Sequence, residues 1–187
     1  MGCYIDTEEN NMEFKTTEIT GLYTVDLNKL EDERGFFARA FCKEEFDGMD
    51  LESNVLQANV SFNKLAGTIR GMHYQKSPYQ ETKFIRCLTG SIYDVVIDLR
   101  KDSPTYLQSF GIELTSENRT ALFIPKDFAH GFITLQDNTE VMYMVSQMYV
   151  PGAEEGIRWN DPKFAIKWPM DPIQISTKDV NWKDYSV

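Results

Sequence analysis

Short apolar segments recur along the chain, separated by turn residues, and their side chains alternate in twos. In SIYDVVIDLR (91–100), Tyr93, Val95, Ile97 and Leu99 fall on one face and Asp94 and Asp98 on the other, which predicts a half-buried strand. TEVMYMVSQMYV (139–150) follows the same rule and carries Tyr143 and Tyr149 at one parity; FGIELT (110–115) is similar. Ser116–Asn118, KDSP and QDNT supply turns. Only CKEEFDG (42–48) invites a short helix, closed by Gly48. Many short strands at this spacing predict an all-β sandwich or barrel. A jelly roll is the nearly closed version, able to hold a ligand between its sheets.

Composition narrows the picture. A chain of 187 residues that is 42% hydrophobic and 13% aromatic is long enough and apolar enough for one folded domain with a real core. No linker, repeat or low-complexity tract divides it. The net charge of −10 disfavours nucleic acid or an anionic membrane as partner, yet a few local Arg and Lys can still build a pocket for an anionic small ligand. Cys3, Cys42 and Cys87 are odd in number and form no Cys-x-x-Cys pair. They point away from a disulfide framework or thiolate zinc site and toward a reducing, cytoplasmic setting. The stretch MGCYIDTEENNMEF is acidic with no apolar centre, so residues 1–15 read as a loose leader rather than a signal peptide, ahead of a single domain over 16–187. Asp6 stands where a myristoylation signal wants Ser or Thr. No run of 18 apolar residues predicts a membrane span.

Polar groups then collect in apolar strand contexts. In QANVSFNKLAGTIRGMHYQ (57–75), Gln57 and Asn59 share a face, as do Gly71, His73 and Gln75, with Arg70 on the other side. His73 is one of only two histidines, and the local stretch leaves it either a hydrogen-bonded core residue or a functional one. In ETKFIRCLTG (81–90), Lys83 shares parity with Ile85 and Cys87. It is either a strand-end lysine reaching solvent or an ammonium aimed into the interior, where lysine is rarely placed without a partner or a task. FIPKDFAHGFITL (123–135) holds His130, and the polar tail ISTKD (175–179) reads by itself as a frayed end.

Together these stretches resemble the dTDP-4-dehydrorhamnose 3,5-epimerase family, the RmlC-like cupins. The likeness runs from about Gly21 to Asp179 through DERGFF (32–37), QANVSFN (57–63), GTIRGMHYQ (67–75), KFIRCLTGSIYDVVIDLRKDSPTY (83–106), IPKDFAHGFITL (124–135), EGIRWNDP (155–162), WP (168–169) and STKD (176–179). Several motifs in family order are far more specific than any one of them. The resemblance implies a mainly β cupin jelly roll, a double-stranded β-helix with a few short helices, in a homodimer that exchanges N-terminal strands. It also implies a cofactor-free epimerase of nucleotide-linked 4-keto-6-deoxyhexoses, serving deoxysugar and surface-polysaccharide synthesis. In such a sugar the C4 ketone acidifies the protons on C3 and C5. Inversion therefore needs a base, an opposing proton donor and a cation at the growing oxyanion. By that resemblance His73 is the base, Asp179 the carboxylate that orients it, Tyr143 the opposing acid and Lys83 the cation, with His130 beside it. Arg70 and Arg34 match diphosphate contacts, where a guanidinium fork suits phosphate oxygens. Gln57, Asn59, Glu155 and Lys178 match other substrate contacts, and Tyr149 matches an aromatic that stacks on the nucleobase. One position departs: the family pattern RGFFxE has its glutamate replaced by Arg39, at the nucleotide end of the site. A donor-only group there in place of an acceptor opens the choice between dTDP, CDP and other carriers.

Three further readings remain open from sequence. A metal-binding cupin is disfavoured because Gln75 occupies the place of the second histidine of a His-x-His pair, leaving at most His73, His130 and Glu81 as ligands. A non-catalytic sugar-nucleotide binder would have no need of His73, Asp179, Tyr143 and Lys83 together. A single-site 3- or 5-epimerase, on this or a CDP-linked sugar, uses the same groups.

Overall fold

The computed structural model describes residues 10–186, and its strands form two facing sheets. The first runs in the order β1 (Glu13–Thr16), β2 (Tyr23–Asp26), β10 (Ala121–Ile124), β7 (Lys83–Thr89), β12 (Thr139–Val145), β5 (Gln57–Asn63). The second runs β13 (Glu154–Gly156), β6 (Thr68–Gln75), β11 (Phe128–Thr134), β8 (Ser91–Asp98), β9 (Ser109–Thr115), with β14 (Gln174–Ile175) added parallel to β6. A separate hairpin, β3 (Leu30–Asp32) and β4 (Gly35–Phe37), and two short helices, α1 (Lys43–Gly48) and α2 (Thr177–Val180), complete the described elements. This is the mainly β jelly roll of the cupins.

Alternation explains the core. Ile85, Cys87, Leu122, Ile124 and Val141 from the first sheet meet Ile92, Val96, Leu114, Phe128 and Phe132 from the second. Each such side chain withdrawn from water contributes about 1.5–3 kcal/mol. The outer face of the first sheet is sealed by α1. Its Phe46 sits edge-on to Phe84 at 5.1 Å and packs with Val25 and Phe123. The outer face of the second sheet lies beneath the C-terminal segment, where Met72, Val95, Ile97 and Ala129 meet Ile157, Phe164, Trp168 and Tyr185.

That cover corrects the half-buried reading of 91–100. Both faces of β8 are enclosed, and Asp94 and Asp98 have no exposed surface. Strand period locates two faces but says nothing of a distant segment lying over one of them. Other expectations shift for similar reasons. The strand predicted over 139–150 ends at Val145, so Tyr149 rides on the loop after β12. Of the expected leader 1–15, residues 1–9 lie outside the described residues, while Glu13–Lys15 belong to β1 and pair with β2. The tail read as frayed is ordered: Ile175 pairs with Ile69, and the Ser176 hydroxyl accepts from the Asp179 N–H at 3.0 Å, capping α2. The helix expected at 42–48 forms as α1. Cys42 and Cys87 carry free thiols, and Cys3 lies outside the described residues. Among the described residues no helix is long and apolar enough to cross a membrane.

Candidate active site

Between the sheets lies a cavity of about 910 Å³. Ten of the residues singled out in the sequence line it: Gln57, Asn59, Arg70, His73, Lys83, His130, Tyr143, Tyr149, Lys178 and Asp179.

On the wall made by the second sheet, β6 carries His73 and α2 brings Asp179 against it. His73 Nε2 lies 2.6 Å from Asp179 Oδ1, and Asp179 is 3% exposed. Burial pushes the Asp179 carboxyl up, but the hydrogen bond and charge of His73, with the Ser176 bond, overcome it and hold the group below its ordinary value. An ionised carboxylate only accepts. Nε2 therefore carries the hydrogen of this bond, which in the neutral imidazole leaves the lone pair on Nδ1. Trp182 stands edge-on to His73 at 6.4 Å between ring centres. It lies where a side chain on Gly156, the β13 partner of His73, would project: a Cβ there would fall 2.3 Å from the indole.

Arg70 reaches the same cavity against the expectation that it faces away. His130 pairs with His73 and Phe132 with Arg70, so Gly71 and Met72 together oppose the single residue Gly131. This bulge shifts parity by one and turns Arg70 to the cavity side. Its Nε donates to Asn63 Oδ1 at 2.7 Å. Gly71 makes the bulge possible. Its φ is +128°, and a Cβ would lie 2.5 Å from Gly131 Cα.

The first sheet supplies the opposite wall. Lys83 faces inward on the side of Ile85, which decides between the two readings that the sequence left open. Tyr143 pairs with Ile85 on one side and Asn59 on the other. Burial, then the nearby negative charge of Glu81, pushes the Tyr143 phenol above its ordinary value, so it holds its proton at neutral pH. The Lys83 ammonium is gripped by the Glu81 carboxylate, with both side chains only 11% and 13% exposed. Deeper in, His130 Nε2 lies 2.8 Å from Asp94 Oδ2. Asp94 is fully buried with Oδ1 unpartnered, and burial raises its carboxyl despite the opposing influence of His130.

Sequence reading missed Asp94 and Glu154 and weighed Glu81 only as a metal ligand. For Glu81 a signal existed, since it shares parity with Lys83. Asp94 was assigned to a solvent face that the fold does not have. Glu154 forms an ion pair with Lys178, whose ammonium that contact raises, and it lines the cavity. Glu155, the residue expected there, points to the opposite face of β13, where it accepts from Tyr74 Oη at 2.9 Å and from Lys76. Two more expected residues stand elsewhere. Arg34 sits on the β3–β4 hairpin bonded to Asp32, and Arg39 pairs with Glu45 at 2.7 Å; neither lines the cavity of its own chain. His73, His130 and Glu81 form three separate pairs. Among the described residues no group of three His, Cys, Asp or Glu side chains stands at metal-holding spacing.

Comparison with known proteins gives matches over nearly the whole chain. The family model described as dTDP-4-dehydrorhamnose 3,5-epimerase matches residues 16–186. The dTDP-4-dehydrorhamnose 3,5-epimerase of Methanothermobacter thermautotrophicus is 40% identical over 173 residues, 91% of this chain and 92% of that protein. The crystal structure of the Bacillus anthracis enzyme of that name, with TDP and PPi bound, superposes with a TM-score of 0.90 at 40% identity, covering 94% of this chain and 100% of the other. The Legionella pneumophila dTDP-6-deoxy-D-glucose-3,5-epimerase, in complex with dTDP-4-keto-L-rhamnose, gives a TM-score of 0.87 at 35% identity over 93% of each chain.

Proposed function

The chain belongs to the dTDP-4-dehydrorhamnose 3,5-epimerase family, and from that premise we propose that it inverts C3 and C5 of a dTDP-linked 4-keto-6-deoxyglucose without a cofactor, on the route to dTDP-rhamnose. The observation that carries this reading is the pairing of opposed walls. His73, with Asp179 brought against it by α2, stands on one wall, and Tyr143 with the Lys83–Glu81 pair stands on the other, across one cavity.

In this mechanism His73 Nδ1 takes the C3 proton while Asp179 steadies the imidazolium that forms. The electron pair moves onto the C4 oxygen, where the Lys83 ammonium meets the growing charge. Tyr143 returns a proton to the opposite face of C3, completing the inversion. Repetition after the sugar turns brings C5 to the same groups. Arg70 and Lys178 at the cavity contact the diphosphate and sugar, Gln57 and Asn59 bind the sugar hydroxyls, and Tyr149 stacks on the base. His130, oriented by Asp94, closes the floor beside Lys83.

The working form is a homodimer. The outer edge of the first sheet leaves Val60 62% and Phe62 47% exposed, an apolar surface suited to a second copy. Phe36 and Phe37 on the hairpin are likewise exposed, at 40% and 46%. Exchange of this hairpin would carry Arg34, and with it the Arg39 end, toward the neighbour's cavity. Residues 16–187 act as one domain, in the cytoplasm.

Incubation with a panel of dTDP- and CDP-linked 4-keto-6-deoxysugars in deuterated water, followed by NMR at C3 and C5, tests the activity. Exchange at both carbons is expected, with dTDP preferred. Exchange at one carbon alone would demote the enzyme to a single-site epimerase, and none at either with any sugar would sink the reading. Sedimentation tests the dimer: Val60→Asp with Phe62→Asp should yield monomer.

A further inference from the structure

Gln75 lies two residues beyond His73 and is 3% exposed. The chemistry above gives it no task, yet its amide is fully engaged. Oε1 accepts from the Val150 N–H at 2.8 Å. Nε2 donates to the Met148 carbonyl at 3.2 Å and to Glu81 Oε2 at 3.1 Å. The first two partners flank Tyr149, a residue 58% exposed at the cavity on the loop between β12 and β13. The third is the carboxylate whose other oxygen grips the Lys83 ammonium. One carboxamide thus bonds to the backbone on either side of the nucleobase platform and to the carboxylate that pairs with the cation at the reacting end. An amide can accept and donate twice at once; a carboxylate, hydroxyl or thioether in its place cannot.

We infer that Gln75 and Glu81 are positioning residues that couple nucleobase stacking on Tyr149 to the placement of Lys83 at the C4 oxygen. The inference rests on the roles of Tyr149 and Lys83 proposed above. A lysine ammonium is a point charge on a four-carbon stem with many rotamers, so its effect on an enolate depends on what holds its head. Here the holder is Glu81, and Glu81 is itself held by an amide bonded to the Tyr149 loop. Base stacking that settles residues 148–150 therefore also settles Gln75, Glu81 and Lys83. Binding energy from the remote nucleotide is converted into order at the reacting carbon. The coupling is reciprocal: disturbing the Lys83 end should be felt in the loop.

The test labels lysine with ¹⁵N, identifies the Lys83 ammonium resonance by its absence in Lys83→Arg, and titrates dTDP alone. In the native protein the Lys83 resonance should move as dTDP binds. In Gln75→Met, which fills the space and makes none of the bonds, and in Glu81→Gln, which cuts the Lys83 end, dTDP should still bind by calorimetry while the resonance no longer follows. Kinetics gives a second reading. Tyr149→Ala should lower kcat for C3 exchange about 10-fold in the native background and less than about 2-fold on top of Gln75→Met, a coupling within the usual range for linked sites. A Lys83 resonance that follows dTDP equally in both variants, or an equal kcat loss in both backgrounds, overturns the inference. So does a native resonance that stays still at saturating dTDP. Native protein that fails to bind dTDP would instead show that the nucleotide reading itself is wrong, and the inference falls with it. Absence of turnover alone removes only the epimerase reading and leaves the resonance to decide. Should Gln75→Met fail to fold, Glu81→Gln answers both arms.

Discussion

Asp179→Asn isolates what the carboxylate beside His73 supplies. The substitution preserves shape, so α2 and its Ser176 cap are expected to survive. It removes one negative charge 2.6 Å from the ring nitrogen. The Asp179 side chain is 5% exposed and that of His73 30%, so water screens the pair only in part. Two unit charges with centres about 4 Å apart at an effective dielectric of about 20 interact by about 4 kcal/mol. The imidazolium forms as the C3 proton leaves, so that attraction is realised in the transition state and only weakly before it. Its loss should slow exchange about 10³-fold. The assay is loss of the C3 proton signal in deuterated water at saturating substrate, with dTDP affinity measured alongside. Affinity should stay within about 2-fold, because Asp179 touches the imidazole and not the phosphates. The Asp179 carboxyl is held below its ordinary value, so the charge that the variant removes is still present in the native protein at pH 5. A variant that keeps exchange within about 10-fold of native, with the fold intact by circular dichroism, would refute the argument that this charge supports the base.

Tyr143→Phe should still wash out the C3 proton yet lose net inversion by about 10²-fold or more, read by comparing exchange with product formation; because burial and Glu81 raise the phenol above its ordinary value of 10.0, its ionisation should not limit native inversion until the pH exceeds that value. Asp98 tests the scaffold: burial opposes ionisation, but bonds from Arg100, Ser103 and Thr105 bring its pKa down to about 2 from 3.8. That depression contributes about 2 kcal/mol, fully present above pH ~4 and lost as pH falls through ~2, so Asp98→Asn should cost about 2 kcal/mol in urea unfolding at pH 7 and progressively less in acid. Gly71→Ala should cost more than about 3 kcal/mol, since its Cβ would strike the Gly131 backbone at 2.5 Å, whereas Gly152→Ala, with φ +84° and nothing within 4 Å, should cost about 1 kcal/mol. Equal thermal shifts for the two would mean that the Gly71 contact is not what demands glycine.

Period-two alternation was enough to predict a β sandwich or barrel, to put Lys83 on the face of Ile85 and to set Gln57 beside Asn59, because strand parity is a local property of the backbone; whether Lys83 turned inward or reached solvent stayed open until the fold decided it. The ordered motifs carried the family and most of the cavity residues. Parity failed where the backbone departs from it. The bulge at Gly71 and Met72 turned Arg70 inward, and the end of β12 at Val145 moved Tyr149 onto a loop. Glu154 and Glu155 exchanged places because a single register step on β13 decides which carboxylate meets Lys178.

By itself, then, the sequence determined the element type, which residues share a strand face and the chemical kinds gathered at the site. Only the tertiary structure decided the pairings. Asp179 meets His73 across 106 positions of chain, Asp94 meets His130 across 36, and Gln75 meets the backbone around Tyr149 across 73 and 75. The closure of the two sheets that made Asp94 and Asp98 interior residues, and the C-terminal cover over the Val95 and Ile97 face, belong with them. The physical reason is one of range: side-chain alternation is set by neighbouring peptide units, whereas these contacts depend on which sheet faces which and on the register between strands. That information appears only once the two sheets close around their shared interior.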